Sequence, residues 1–270
     1  MKKVTTIASL LLAALLIAAG CTSKAQPTIK SQSKITVGAT SVPHAILLEL
    51  VKEDLAAEGV ELVITEFGEY TVINPALADG TLDANFFQHT PYLDDYIANS
   101  GEKLIEAGKI HIEPMGVYSE KLDDLADLPD GAVVGIPNDG TNEGRSLLLL
   151  QSLGLITLKE GAGLLSLPAD IVDNPKNLEF VELEAAMLPR SLSDTDISVI
   201  NTNYALEADL NPIEDALGME NADSPFANVV AIREADKDSE AIKKLVAALQ
   251  SEKVREFILE TYGGAVVPAF

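Results

Sequence analysis

The chain has 270 residues, a hydrophobic content of 47% and a formal net charge of −23 at pH 7. That length suits one large domain or two modest ones with ample core, and such acidity, with no basic stripe, argues against a nucleic-acid partner. The single cysteine excludes an intramolecular disulfide, so the core must supply the stability.

At the N-terminus Lys2 and Lys3 precede an uncharged apolar stretch from Ile7 to Ala19, which predicts a secretory signal over residues 1–20. The stretch is too short for a comfortable membrane span, and polar residues follow it rather than a stop-transfer pattern. Small residues then lead directly to Cys21, and Ile17-Ala18-Ala19-Gly20-Cys21 resembles the lipobox of bacterial lipoproteins. In that motif the cysteine is diacylated and becomes the mature N-terminus; Ala18 stands where leucine is usual. Residues 22–34 carry Lys24, Lys30 and Lys34 without any acid and lack a hydrophobic period. Residues 21–33 are therefore expected to be a lipidated, disordered tether, attracted to anionic lipid while the acidic body is held off the surface.

Beyond the tether, short valine- and isoleucine-rich runs alternate with helical patterns, which is the signature of an α/β protein. A strand is expected over 34–40, a helix over 42–59 with Pro43 near its first turn and Gly59 at its end, and a strand over 60–67. A short helix around 72–79 and a strand near 82–87 come next. The following helix starts after Thr90, read as its N-cap, with Pro91 in the first helical position. Strands over 132–137, 178–183, 196–200 and 228–233, helices over 143–154 and 203–210, and two helices between 238 and 262 complete the pattern. No internal repeat is present.

Three segments carry a resemblance to a known family. They are GEYTVINPALADGTLDANFFQHTPYL (68–93), VVGIPNDGTNEGRSLLLLQ (133–151), and INTNYALEADLNP (200–212) running on through SPFANVVAIRE (224–234), with GGAVVPAF closing the chain. Together with the lipobox they resemble the methionine-binding lipoproteins, the NlpA-type substrate-binding proteins of ABC importers, over essentially all of the mature sequence. Gly140 and Phe226 depart from the family pattern, where proline and tyrosine are usual; the first is expected to loosen the loop before Arg145, the second to remove a hydroxyl. The resemblance implies a two-lobed type II periplasmic-binding-protein fold with a ligand cleft between lobes. Residues 34–115 plus 230–270 would form lobe 1, and 116–229 lobe 2.

A free amino acid presents a carboxylate, an ammonium and a side chain. Arg145 is the carboxylate candidate, because a planar guanidinium binds carboxylate in two-pronged fashion and because the expected helix start at 143 would favour an anion beside it. The competing reading pairs Arg145 with Glu143 or another nearby acid. The family pattern implies Asn203 and Asn228 as amides orienting the charged groups, with Asn201 competing with Asn203, and places Tyr70 in the pocket. Alternation along an extended 84–89 puts Phe87 and His89 on one face and Phe86 and Gln88 on the other, so Phe87, His89 and Tyr92 are expected to wall the pocket and Phe86 to join the core.

The three histidines, His44, His89 and His111, include no pair at spacing typical of a zinc site, and no metal or other cofactor is expected. No G-x-S-x-G elbow or reactive cysteine suggests an enzyme, and without a Walker A motif ATP hydrolysis must belong to a separate partner. The resemblance implies a monomeric, lipid-anchored receptor on the outer face of the cell membrane, or the periplasmic side in a Gram-negative host. It would deliver methionine to an ABC importer permease. The alternatives are a methionine-containing dipeptide or another apolar amino acid as ligand, or a secreted hydrolase with His89 as base oriented by Asp94 or Asp95.

Overall fold

The computed structural model describes residues 33–221 and 225–270. The expected signal, Cys21 and the tether up to residue 32 lie outside the described residues; Ser33 is already the first residue of a strand. The alternating pattern becomes β1 (Ser33–Ala39), α1 (Ile46–Ala57), β2 (Val60–Glu66), α2 (Ile73–Ala78), β3 (Ala84–His89) and α3 (Thr90–Ser100). The first helix starts later than its apolar pattern suggests because Val42, which precedes Pro43, is extended at φ −123 and ψ 135. A tight turn over Ser41–Ala45 results, and it buries His44. Gly59, at φ +82, lets the chain reverse into β2.

Next come β4 (Leu104–Ile112), β5 (Gly116–Tyr118), β6 (Val133–Pro137), α4 (Gly140–Ser152), the short strands β7 (Thr157–Leu158) and β8 (Ile171–Asp173), β9 (Glu179–Leu183) and β10 (Ile197–Ile200). The chain ends with α5 (Thr202–Glu207), α6 (Pro212–Asp215), β11 (Gly218–Met219), β12 (Ala227–Arg233), α7 (Glu240–Leu249), α8 (Glu252–Tyr262) and β13 (Val267–Pro268).

Two sheets organise these elements. The first has the order β13-β4-β12-β3-β1-β2; β1 runs parallel to β2 and β3, while β12 is antiparallel to both β3 and β4. The second has the order β11-β5-β10-β6-β9, with a parallel centre and antiparallel pairs at the β5 side. The chain leaves the first sheet after Ile112, builds the second from residue 116 to 219, and returns to the first at β12.

The first sheet buries its apolar face against α1, α7 and α8, through residues such as Leu47, Leu245 and Ile258. Phe86 is completely buried there, edge-on to His44 with ring centroids 4.7 Å apart. Val134, Ile136, Leu147 and Val199 form the core of the second sheet against α4. A third apolar cluster joins Tyr70, Phe87 and Val229 to Tyr118, Leu188, Ile200 and Tyr204, so side chains from both sheets close over one another.

Strict alternation fails in β3. His89 pairs with Asn228 and Gln88 with Val229, but Val230 pairs with Phe86, so Phe87 is an extra residue in a β-bulge. The bulge turns Gln88 away from the face of Phe86. Its amide bonds Asn74 and Asn85 at 2.7–2.9 Å, and Phe87, Gln88 and His89 all reach one cavity.

Candidate functional site

That cavity, with about 320 Å³ of empty space including its opening to solvent, lies where both sheets meet. Its walls come from six segments: Tyr70 after β2; Phe87, Gln88, His89 and Tyr92 at the β3–α3 junction; Glu113 after β4; Asn142 and Arg145 on α4; Asn201, Thr202 and Asn203 after β10; and Asn228 on β12. All seven residues proposed from the sequence, Tyr70, Phe87, His89, Tyr92, Arg145, Asn203 and Asn228, are brought together in it.

The apolar end is aromatic. Tyr70, Phe87 and Tyr92 stand with ring centroids 5.7–6.0 Å apart, and Tyr204 backs Tyr70 at 4.8 Å. Burial holds the phenols of Tyr70 and Tyr92 well above the usual range, so both stay protonated donors. Tyr70 donates its hydroxyl to Asn203 Oδ1.

His89, not Thr90, caps α3: the strand stays extended through residue 89, and His89 Nδ1 accepts the Tyr92 N–H at 3.1 Å. Its Nε2 faces Asn142 Oδ1 at 3.2 Å and donates to it. Burial, with the nearby Arg145 charge, lowers the pKa of His89 to about 3, so the ring is neutral. Its one free lone pair is therefore committed to the helix cap. Neither Asp94 nor Asp95 orients the ring, which removes the hydrolase alternative.

The polar end is built around Arg145, whose side chain is only 3% exposed. Helix α4 begins at Gly140, three residues before its expected start, because the Asp139 carboxylate caps it by accepting the Asn142 N–H at 3.1 Å. Arg145 consequently sits in the second turn, and the helix terminus is occupied by Asp139 rather than open to an outside anion. Gly140 is the first residue of the helix, so no loosened loop precedes Arg145.

The two-pronged edge of the guanidinium is taken by the protein itself. Arg145 Nε donates to Glu220 Oε1 at 2.8 Å, and Nη2 donates to Glu220 Oε2 at 2.6 Å and to the Glu113 carbonyl at 2.7 Å. Arg145 does pair with an acid, but the partner is Glu220 in the cavity wall, 75 residues along the chain, rather than Glu143 or a nearby acid on the surface. Phe226 stacks on the guanidinium, 4.0 Å from carbon to ring centroid, and also approaches His89 at 5.1 Å.

Two buried amide atoms at this end have no partner. Asn203 Nδ2 is an unused donor, and Asn201 Oδ1 is an unused acceptor, while Asn201 Nδ2 holds Asn142 Oδ1 at 3.0 Å. Asn228 is oriented by a relay in which Thr40 Oγ1 bonds His44 Nδ1 at 2.8 Å and His44 Nε2 bonds Asn228 Oδ1 at 3.1 Å.

Sequence reasoning missed Glu113, Gln88, Asn142 and Thr202. Asn142 lies three residues before Arg145 and so shares its helix face, a signal that was available; Glu113 offered only its position two residues after a histidine. Its carboxylate accepts from His111 Nε2 at 2.7 Å, with His44 Nε2 at 3.3 Å. His44, His111 and Glu113 are the described residues whose ligand atoms lie close enough, within 4.8 Å, to hold a metal ion. Local spacing could not reveal this cluster, since the fold brings residue 44 to residue 111.

The model of the NlpA lipoprotein family matches residues 35–270. The chain belongs to that family. It is 44% identical over 251 residues to the D-methionine-binding lipoprotein MetQ of Salmonella typhimurium, covering 92% of both chains. Among solved structures, it resembles a nutrient-binding protein from Burkholderia cenocepacia bound to methionine. That match has a TM-score of 0.85 and 48% identity, over 87% of this chain and all of the other. A lipoprotein from Ruminococcus gnavus matches with a TM-score of 0.86 and 44% identity, over 88% of this chain and all of the other. The fold of this NlpA lipoprotein is accordingly the two-lobed periplasmic-binding-protein type, and the family's role is binding rather than catalysis.

Proposed function

We propose that this NlpA lipoprotein captures methionine outside the cytoplasmic membrane and delivers it to an ABC importer, which has its own permease and a separate ATPase. The observation that carries this reading is the cavity itself. It joins an aromatic end to a polar end where a free amide donor, Asn203 Nδ2, and a free amide acceptor, Asn201 Oδ1, suit a carboxylate and an ammonium. The methionine bound to the Burkholderia relative and the name of the Salmonella relative support the same ligand.

In this reading the ligand carboxylate takes Asn203 Nδ2 and the Nη1 side of Arg145, whose other edge stays on Glu220. Asn228 orients the same charged groups. The thioether lies among Tyr70, Phe87 and Tyr92, where each sulfur–ring contact adds about 0.3–1.5 kcal/mol beyond area burial. Lobe 1 is built on the first sheet, residues 34–115 with β12 and the residues after it, and lobe 2 on residues 116–219, so the expected boundary at 229/230 moves to the start of β12; ligand contact to both lobes favours closure. Acylation of Cys21 tethers the monomeric receptor. No helix among the described residues is long and apolar enough to cross a membrane.

The test is the thermal stability of the mature, ligand-stripped protein against a panel of amino acids and methionine dipeptides. Methionine at about a hundredfold above its Kd should add roughly 2.7 kcal/mol of stability. A shift with leucine or a dipeptide but none with methionine would replace the ligand, and no shift with any of them would end the reading.

A further inference from the structure

Glu69 follows β2 and stands one residue before Tyr70 of the cavity wall, while Glu184 follows β9 and precedes a helical turn over Ala185–Ser191. The two acids thus come from different sheets, yet their neighbours pack together. Tyr70 joins Ala185 and Leu188 in the apolar cluster that closes one sheet over the other. Tyr204 on α5 also donates its hydroxyl to the Gly68 carbonyl at 3.3 Å, so the loop that carries Glu69 is held from the second sheet at two points.

Glu184 occupies the N-cap of its own turn, but its side chain makes no capping hydrogen bond there. Its carboxyl hydrogen-bonds the carboxyl of Glu69 instead. Ionised carboxylates only accept, so this bond exists only while the pair keeps a proton. Glu69 is half-buried and Glu184 exposed, and neither forms an ion pair with a lysine, arginine or histidine among the described residues. The titratable groups around them are Tyr70, next to Glu69, and Tyr204, which lies within the fields of Glu184 and Glu207. Burial keeps both phenols protonated and uncharged, so no neighbour supplies a positive charge in place of the proton.

We propose that Glu69 and Glu184 form a proton-operated latch between the lobes: closing over the ligand takes up a proton at this pair, and losing that proton favours opening. The latch rests on the methionine reading of the cavity and on closure of its lobes. With the lobes apart, each acid loses its partner. With the lobes together, the hydrogen bond to Glu69 holds the Glu184 carboxyl above the usual carboxylate range, and partial burial and the Glu69 charge add to it. The closed form therefore binds the proton more tightly. Its advantage is fully present below the usual carboxylate range and is lost as pH rises through the raised value, where two carboxylates face each other across the cleft.

The experiment is calorimetry of methionine binding to the ligand-stripped protein between about pH 4.5 and about pH 8, in buffers of different ionisation heat, so that proton uptake is read beside affinity. Wild-type protein should bind about 1.5- to 5-fold more weakly at the alkaline end, the range for a solvent-exposed charge contact, and should take up protons on binding. Glu184→Gln can donate its amide to Glu69 without any proton. It should match wild type at the acid end, bind about 1.5- to 5-fold tighter than wild type at the alkaline end, and take up less of a proton. Asp139 and Glu143, whose pKa values are also raised, remain in the variant, so the difference between the two proteins reports the pair. A gain in affinity at alkaline pH also separates the latch from simple damage by the substitution. Equal proton uptake by both proteins would overturn the latch, as would a variant no tighter than wild type at the alkaline end. Wild-type protein that takes up no proton overturns it without any variant. Absence of methionine binding at every pH would remove the methionine reading and the latch together, whereas binding with a profile that Glu184→Gln leaves unaltered removes only the latch.

Discussion

A buried guanidinium needs acceptors along its edges, and Arg145 finds them inside the protein, in Glu220 and the Glu113 carbonyl. Glu220 is tied in turn to the Met115 N–H at 2.9 Å, so the arginine is clamped before any ligand arrives. This clamp has an energetic signature. Breaking a buried pair by removing one partner strands the other charge, at a cost of about 3–5 kcal/mol. Glu220 is 11% exposed at its side chain, so Glu220→Ala should lie near 3 kcal/mol, read from the urea midpoint. The double variant Arg145→Met with Glu220→Leu should recover most of that loss, because an apolar pair leaves no stranded charge. A single variant as stable as wild type would mean that water already solvates the guanidinium. The residue type of Arg145 announced a carboxylate partner; it could not announce that the chain supplies one from 75 positions away.

At the scale of the element, α4 carries Asn142 and Arg145 into the cavity, and of its two N-terminal small residues, Gly140 and Gly144, one decides how closely it packs. Gly144 lets the helix touch the loop at Leu164, where a Cβ would stand 2.2 Å from the carbonyl oxygen. Gly140 has no such reason: a Cβ there meets nothing closer than Asp95 Oδ2 at 3.6 Å. It occupies the first helical position after an extended Asp139, at φ −87 and ψ 143, which is where proline is best tolerated. Gly140→Pro should therefore stabilise the protein by about 0.4–1 kcal/mol through the unfolded chain, measured by denaturant titration. Destabilisation instead would show that the Gly140 N–H or backbone angle matters. The elements with a strong period were legible in the sequence, including β1, β2, α7 and α8. β4 was not, because Gly108 and Lys109 interrupt its apolar run and its register with β12 shifts twice, so its strand character comes from pairing rather than pattern. The bulge at Phe87 was equally silent, and it misplaced Gln88.

For the molecule as a whole, the site was legible where one residue type suffices for one task, as with the aromatic wall and the arginine. It was illegible where the task depends on a meeting of distant segments, as with His44, His111 and Glu113. Charge is a different whole-molecule property, readable from composition alone. The first 32 residues hold four lysines and no acid, so the rest of the chain is more acidic than the formal −23 of the full sequence. Among the described residues its lysine–acid pairs, such as Lys52 with Glu49 and Lys243 with Glu240, are exposed contacts that contribute little. Self-repulsion therefore outweighs them in the folded state at low ionic strength. Raising salt from 0.01 to 1 M shortens the screening length from about 30 Å to about 3 Å and removes the long-range repulsion first, since the buried Arg145–Glu220 pair is shielded from solvent. The melting temperature of the mature protein should rise with sodium chloride, by about 2–4 °C for each kcal/mol of repulsion relieved. Scanning calorimetry across that range is the measurement. A falling melting temperature would mean that exposed pairs, not net charge, dominate the electrostatics of this fold.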